Sequence, residues 1–126
     1  MNQVVDGLFY SKEHEWLKVN GSIAVVGITD HAQSALGDVT YVELPKVGAV
    51  YKKSDACAVV ESVKAASDVY APAAGKVVKI NTALEATPEL LNSSPYGEGW
   101  LCEVELAAPV QGLLSADEYR AYLNTL

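Results

Sequence analysis

The hydrophobic pattern of this chain changes period several times, and each change marks an element. Residues 15–19 and 22–28 are rich in β-branched and aromatic side chains and are joined by Asn20-Gly21. That dipeptide favours a two-residue type I′ turn, so the spacing predicts a hairpin near the N-terminus. Thr29-Asp30 then offers N-cap chemistry, residues 32–36 suit one or two helical turns, and Gly37 suits a left-handed end. Residues 39–44 read as a strand stopped at Pro45, and Gly48 opens another that reaches Tyr51. After a polar turn at 52–55, the apolar run 56–60 and the segment 69–72 read as two further short strands. Thr87, Pro88 and Glu89 predict an N-cap and first turn for a short helix over 88–92. Trp100, Cys102, Val104 and Leu106 fall on one side of a strand, with Glu103 and Glu105 on the other. Ser115 and Glu118 form a capping box that opens a C-terminal helix, with Tyr119, Tyr122 and Leu123 on one face.

An internal echo organises the middle of this pattern. The motif P-x-x-G-x-V-x-K occurs at 45–52 and again at 72–79. In each copy Pro ends one strand, Gly turns the chain and a new strand begins. Two similar β-units joined across a hairpin predict a small sandwich with quasi-two-fold symmetry, with the joining hairpin at one end. The expected class is therefore mainly β, with short helices and a C-terminal helix, in a single domain spanning 1–126.

Composition narrows the function. Half of the 126 residues are apolar and a fifth are charged, an ordinary balance for a globular domain. Nine basic against sixteen acidic residues leave a net charge of −7, and Arg120 is the sole arginine. Such a chain lacks the basic face that nucleic acid requires, and its acidic surface suits basic patches on partner proteins. The apolar runs are too short to span a bilayer, so no membrane partner is expected. The start Met1–Asp6 has neither a basic region followed by an apolar core nor an Arg-rich character. The expected location is the cytoplasm, or a mitochondrion if a presequence has been removed. Cys57 and Cys102 lack CxxC spacing and read as buried reduced thiols. His14 and His31 form no metal-ligand motif, and neither a phosphate loop nor a nucleophile elbow is present. No independent catalytic centre is expected.

One stretch stands apart. Glu61-Ser62-Val63-Lys64-Ala65-Ala66-Ser67-Asp68 lies between two strand-like runs, with neither Gly nor Pro between Val50 and Tyr70. Small residues around a lone lysine suit a tight reversal that displays Lys64 for covalent modification. The alternative is an exposed lysine that merely solubilises a hairpin tip, which for an arbitrary lysine is the commoner case.

The context of Lys64 tips that balance. The 61–68 segment resembles the lipoylation hairpin of the glycine cleavage system H protein family. The resemblance extends through Lys12-Glu13-His14-Glu15-Trp16, Val26-Gly27-Ile28-Thr29-Asp30-His31-Ala32-Gln33, Leu36-Gly37-Asp38-Val39 and Val42-Glu43-Leu44-Pro45. It continues in Ala71-Pro72 with Gly75, in Pro88-Glu89-Leu90-Leu91-Asn92 and in Pro95-Tyr96-Gly97-Glu98-Gly99-Trp100, covering roughly residues 7–123. Biotin carriers place the lysine between methionines, and this chain has Val63 and Ala65 there. Lipoyl domains of 2-oxo acid dehydrogenases usually carry Asp before the lysine, within longer multidomain chains.

The resemblance implies a lipoyl-type flattened barrel or sandwich of two antiparallel sheets, and a carrier rather than an enzyme. Lys64 would hold lipoate as an amide. A pyridoxal-phosphate glycine decarboxylase would pass an aminomethyl group to the arm, and a tetrahydrofolate-dependent aminomethyltransferase would remove it. A flavin-containing dihydrolipoyl dehydrogenase would reoxidise the dithiol, and a lipoate-attaching enzyme would install it. Glu15, Glu61 and Asp68 are the candidate carboxylates for holding the loaded arm or for recognition of the hairpin. A monomer is expected. The rival within carriers is a lipoate relay that donates to other lipoyl domains.

Overall fold

The computed structural model describes residues 3–126; Met1 and Asn2, the start of the N-terminal segment read above, lie outside the described residues. The strands are β1 (Phe9–Tyr10), β2 (Glu15–Asn20), β3 (Ile23–Ile28), β4 (Val39–Glu43), β5 (Val50–Tyr51), β6 (Ala56–Ser62), β7 (Ala66–Tyr70), β8 (Gly75–Ile80) and β9 (Cys102–Leu106). The helices are α1 (Asp30–Leu36), α2 (Ala83–Ala86), α3 (Leu90–Ser93) and α4 (Ala116–Leu123). One sheet has the order β1-β2-β3-β9-β8-β5 and the other β4-β6-β7, and every pairing is antiparallel. The expected mainly β class with two antiparallel sheets and a C-terminal helix is what the chain adopts.

The sequence echo has a direct structural counterpart. Its two copies lie edge to edge, Val50 pairing with Lys76 and Tyr51 with Gly75, with Val77 N–H donating to Ala49 O at 2.8 Å. Each Pro–Gly unit therefore starts a strand that pairs with its own repeat.

Three clusters share the burial. Leu17, Ala24, Val26, Val77, Cys102 and Val104 pack on one face of the six-stranded sheet. Val42, Ala58, Val60 and Val69 line the three-stranded sheet and pack with Ile28, Leu84, Leu91 and Leu101. Leu8, Tyr10, Trp16, Ala116 and Tyr119 form the third under α4, where Tyr10 and Tyr119 stack at 4.5 Å. Strand β3 contributes to all three, which explains why its sequence is apolar throughout instead of alternating. Cys57 is half-buried and Cys102 buried, both free, and both border a narrow void between the layers. Burial pushes each thiol up to about 12.

The structure revises three local expectations. Asn20 is still paired with Ile23, so the hairpin loop is Gly21-Ser22, with positive φ at Gly21 alone. That is the glycine-first pattern of a type II′ turn, not type I′. Thr87 ends α2, a helix absent from the sequence reading, and caps nothing with its side chain; α3 starts two residues later than expected, behind Glu89. By contrast, the Thr29 cap and the Ser115–Glu118 capping box form as the sequence predicts, and Gly37 ends α1 at the positive φ expected of it, 77°, though with ψ −158° it lies outside the left-handed helical well.

Gly27 is held to its identity by packing. The Trp16 ring fills the space where a β-carbon at Gly27 would lie, and Trp16 Nε1 is anchored on Pro95 O at 3.0 Å. Because the ring is 2% exposed, it has nowhere to move. Gly27→Ala is expected to destabilise the fold by about 1–3 kcal/mol through overpacking. A melting curve should show a fall of roughly 5–15 °C.

Candidate functional site

Strands β6 and β7 form the hairpin that carries Lys64. Glu61 pairs with Ala66, leaving the tip at residues 62–65. No residue there has positive φ, so the turn closes without the Gly or Asn that such tips usually use. Ser62 supplies the closure instead. Its Oγ accepts the N–H groups of Lys64 and Ala65, both at 3.2 Å, and donates to Ala65 O at 3.2 Å. That uses the full capacity of one hydroxyl. Sequence reasoning counted Ser62 only as a small residue.

The tip is not free-standing. Val63 N–H donates to Asp38 O at 3.0 Å, which ties it to the link between α1 and β4. Lys64 is exposed and makes no salt bridge among the described residues. Its stem passes over Gly37, where an added β-carbon would sit 3.4 Å from Lys64 Cε. Glycine at 37 thus serves both the positive-φ helix end and the passage of the lysine.

Beside the hairpin lies a cleft of about 200 Å³. Its apolar lining comes from Ile28, from Ala32, Ala35 and Leu36 on α1, and from Val60 and Val69. Glu13, His14, Glu15, Ser67 and Asp68 supply the polar part. Two of the three carboxylates singled out in the sequence, Glu15 and Asp68, therefore meet in one cleft with Lys64's hairpin as its wall. Glu61 does not join them; it is exposed and outside the cleft. A wider hollow of about 600 Å³ runs along residues 41–47, but neither Lys64 nor any of the three carboxylates borders it.

Glu15 is not the solvated carboxylate that its sequence position allowed. It is 2% exposed, accepts the Ser11 hydroxyl at 2.6 Å on Oε1 and accepts Tyr70 N–H at 3.2 Å on Oε2. Burial pushes its carboxyl up to about 7, with the two hydrogen bonds opposing and the Glu13 charge adding to the rise. His14, held in a left-handed backbone conformation at φ 70°, packs its ring 4.3 Å from His31. Its Nδ1 meets Tyr119 OH at 2.8 Å. Burial and then the neighbouring His31 lower its basicity, which disfavours a positive charge on this wall of the cleft. The role of His14 as cleft wall escaped the sequence, since its side-chain hydrogen bond comes from Tyr119 on α4, more than 100 residues away. Among the described residues no cluster of side chains suits a metal ion, and no helix is long and apolar enough to cross a membrane.

Glu15 gives the fold a pH dependence of defined sign. Its folded value of about 7 lies above the ordinary 4.5, so the folded state binds more protons between those limits. The contribution of the neutral carboxyl is complete below pH 4.5 and is lost as pH rises through 7. Glu15→Gln should therefore gain stability relative to wild type between pH 5 and 8, by up to about 3 kcal/mol. Denaturant midpoints measured across that range check this; a constant difference between the two proteins would contradict it.

Comparison with known proteins agrees with this geometry. The sequence profile described as glycine cleavage H-protein matches residues 8–126. The glycine cleavage system H protein of Symbiobacterium thermophilum is 54% identical over 124 residues, covering 97% of each chain. That of Thermus thermophilus is 55% identical over 119 residues, covering 93% of each. The crystal structure of the H protein from Mycobacterium marinum superposes with a TM-score of 0.88 at 40% identity, covering 98% of this chain and all of that one. The chain belongs to the glycine cleavage H-protein family, the lipoyl carriers of the glycine cleavage system, which are not themselves catalysts.

Proposed function

We propose that Lys64 is the residue that carries lipoate, and that the cleft beside its hairpin receives the loaded arm. The observation that carries this reading is the position of an exposed lysine without a salt bridge at a closed, rigid tip, next to a cleft that combines an apolar lining with Glu15 and Asp68. When attached, lipoate supplies a disulfide that takes up an aminomethyl group and later yields it as a one-carbon unit and ammonia. Everything else is position and environment, and those belong to this chain.

Each residue has a task in that scheme. Amide formation at Lys64 Nζ removes the lysine's charge, and the flexible stem over Gly37 gives the arm its pivot. A tether from a fixed root keeps the local concentration of the arm's end high, both at the cleft and at a docked enzyme. Ile28, Leu36, Val60 and Val69 suit the aliphatic chain of the arm. Asp68 and Glu15 suit a protonated amine at its end, and the lowered basicity of His14 reduces any opposing charge. An ammonium entering the cleft also favours the ionised form of Glu15, so the buried carboxyl acquires a counter-ion when the arm is docked. Glu61, outside the cleft, is the carboxylate available to enzymes that recognise the hairpin from solvent.

The partners in this reading are the pyridoxal-phosphate glycine decarboxylase, the aminomethyltransferase, the dihydrolipoyl dehydrogenase and a lipoate-attaching enzyme. With a net charge of −7, the surface suits basic docking faces on them.

Intact mass spectrometry after expression with a lipoylation system should show one lipoyl adduct, absent from Lys64→Arg. An adduct on another residue, or none, would sink the assignment. In glycine–bicarbonate exchange with the decarboxylase, the lipoylated protein should stimulate the rate and Lys64→Arg should not. Asp68→Asn should retain the adduct and lose several-fold in protection of the loaded arm against spontaneous ammonia loss, read as the first-order release rate. An unchanged rate would remove Asp68 from the cleft's role.

A further inference from the structure

The motif Pro88-Glu89-Leu90-Leu91-Asn92 has no place in the chemistry described so far, yet its last residue sits at the junction of root and cleft. Asn92 Nδ2 donates to Gly37 O at 2.8 Å and to Gln33 Oε1 at 2.9 Å, while its Oδ1 accepts Val39 N–H at 2.9 Å. Three bonds from one side chain therefore clamp both ends of the link between α1 and β4. That link holds the hairpin tip through Asp38 O and underlies the Lys64 stem at Gly37. The same side chain grips α1, whose Ala32, Ala35 and Leu36 form a wall of the cleft. Gln33 passes the grip along the helix, since its Nε2 donates to Asp30 Oδ1 at 2.7 Å.

We infer that Asn92 is a positioning residue for the arm: it fixes the hairpin tip and the α1 wall of the cleft in one geometry. Two features make an amide necessary. Gly37 O lies past the end of α1, where no further helical N–H reaches it, and so needs a side-chain donor. Val39 is buried at 4% exposure, so its N–H, turned away from the β4–β6 ladder, needs an acceptor. Only a side chain with both donor and acceptor in one plane meets these needs together. Helix α3 exists to deliver it: a single turn, anchored by the fully buried Leu91, that presents Asn92 to α1.

This inference rests on Lys64 as the arm's root and on the cleft as its resting place, and its test separates the two levels. Asn92→Ala removes all three bonds; Asn92→Asp keeps the size and the acceptor but removes both donations. Val77→Ala, a truncation in the buried cluster on the six-stranded sheet away from the cleft, serves as the stability control. In the unmodified protein, amide exchange at Val63 should accelerate at least tenfold in both Asn92 variants relative to that control, and exchange at Val39 in Asn92→Ala, which alone removes its acceptor. In lipoylated protein loaded by the decarboxylase, water converts the S–CH2–NH3+ group to thiol, formaldehyde and ammonium. Release of both products should accelerate at least threefold in the Asn92 variants and stay near wild type in the control. Exchange that matches the control overturns the inference, as does product release at the wild-type rate. Should the wild-type protein itself release ammonium as fast as free aminomethylated dihydrolipoamide, the cleft reading fails, and exchange at Val63 alone decides the role of Asn92.

Discussion

A buried carboxyl that accepts a main-chain N–H from the opposite sheet is the constraint on which the arrangement turns. Glu15 opens β2 of the six-stranded sheet, and Tyr70 closes β7 of the three-stranded one. Their bond gives direction to a contact between layers that is otherwise dispersive and non-directional. The hairpin behaves as a lever held at two places: at its base by Glu15 on Tyr70 N–H, and near its tip by Asp38 O on Val63 N–H. Side-chain packing keeps the sheets together, but these few polar bonds set where along the body the lysine emerges. The cost is a carboxyl whose ionisation opposes folding near neutral pH.

Much of this architecture was legible in the sequence, because local rules and global burial agree there. The Thr29 and Ser115 caps, the Gly37 stop and the alternation of β9 are short-range signals, and each survived packing. The echoed Pro–Gly units pointed to symmetry before any pairing was visible. What the sequence hid is non-local. Thr87 carried a good capping side chain, yet the chain used it to end α2, because Leu84 and Leu91 both turn into the same apolar cluster. The hairpin loop also shifted by one residue, with Asn20 paired to Ile23 and Gly21-Ser22 left as the loop, a change of register that keeps Ala24 and Val26 on the same face as Leu17.

At the site the division is sharper. The display of Lys64 at a hairpin tip was readable because its neighbours are small and its flanks are strands, whereas the case for its modification came from the family resemblance. Glu15 was readable as a candidate carboxylate but not as a buried one, since its partners Ser11 and Tyr70 lie on different elements. His14 and Asn92 carried no signal in isolation. Their bonds span 105 and 53–59 residues respectively, and only the fold supplies those pairings.

The two cysteines close the account in redox terms. A protein that presents a strained cyclic disulfide on a mobile arm is exposed to attack by any thiolate within reach, its own included. With burial pushing both thiols up to about 12, each is held in its protonated, non-nucleophilic form at neutral pH. Cys102 is also shut away between the layers, and the Cys57 S–H is engaged with Val69 O at 3.4 Å. A disulfide borne on the surface would thus find no ready thiolate in the scaffold beneath it.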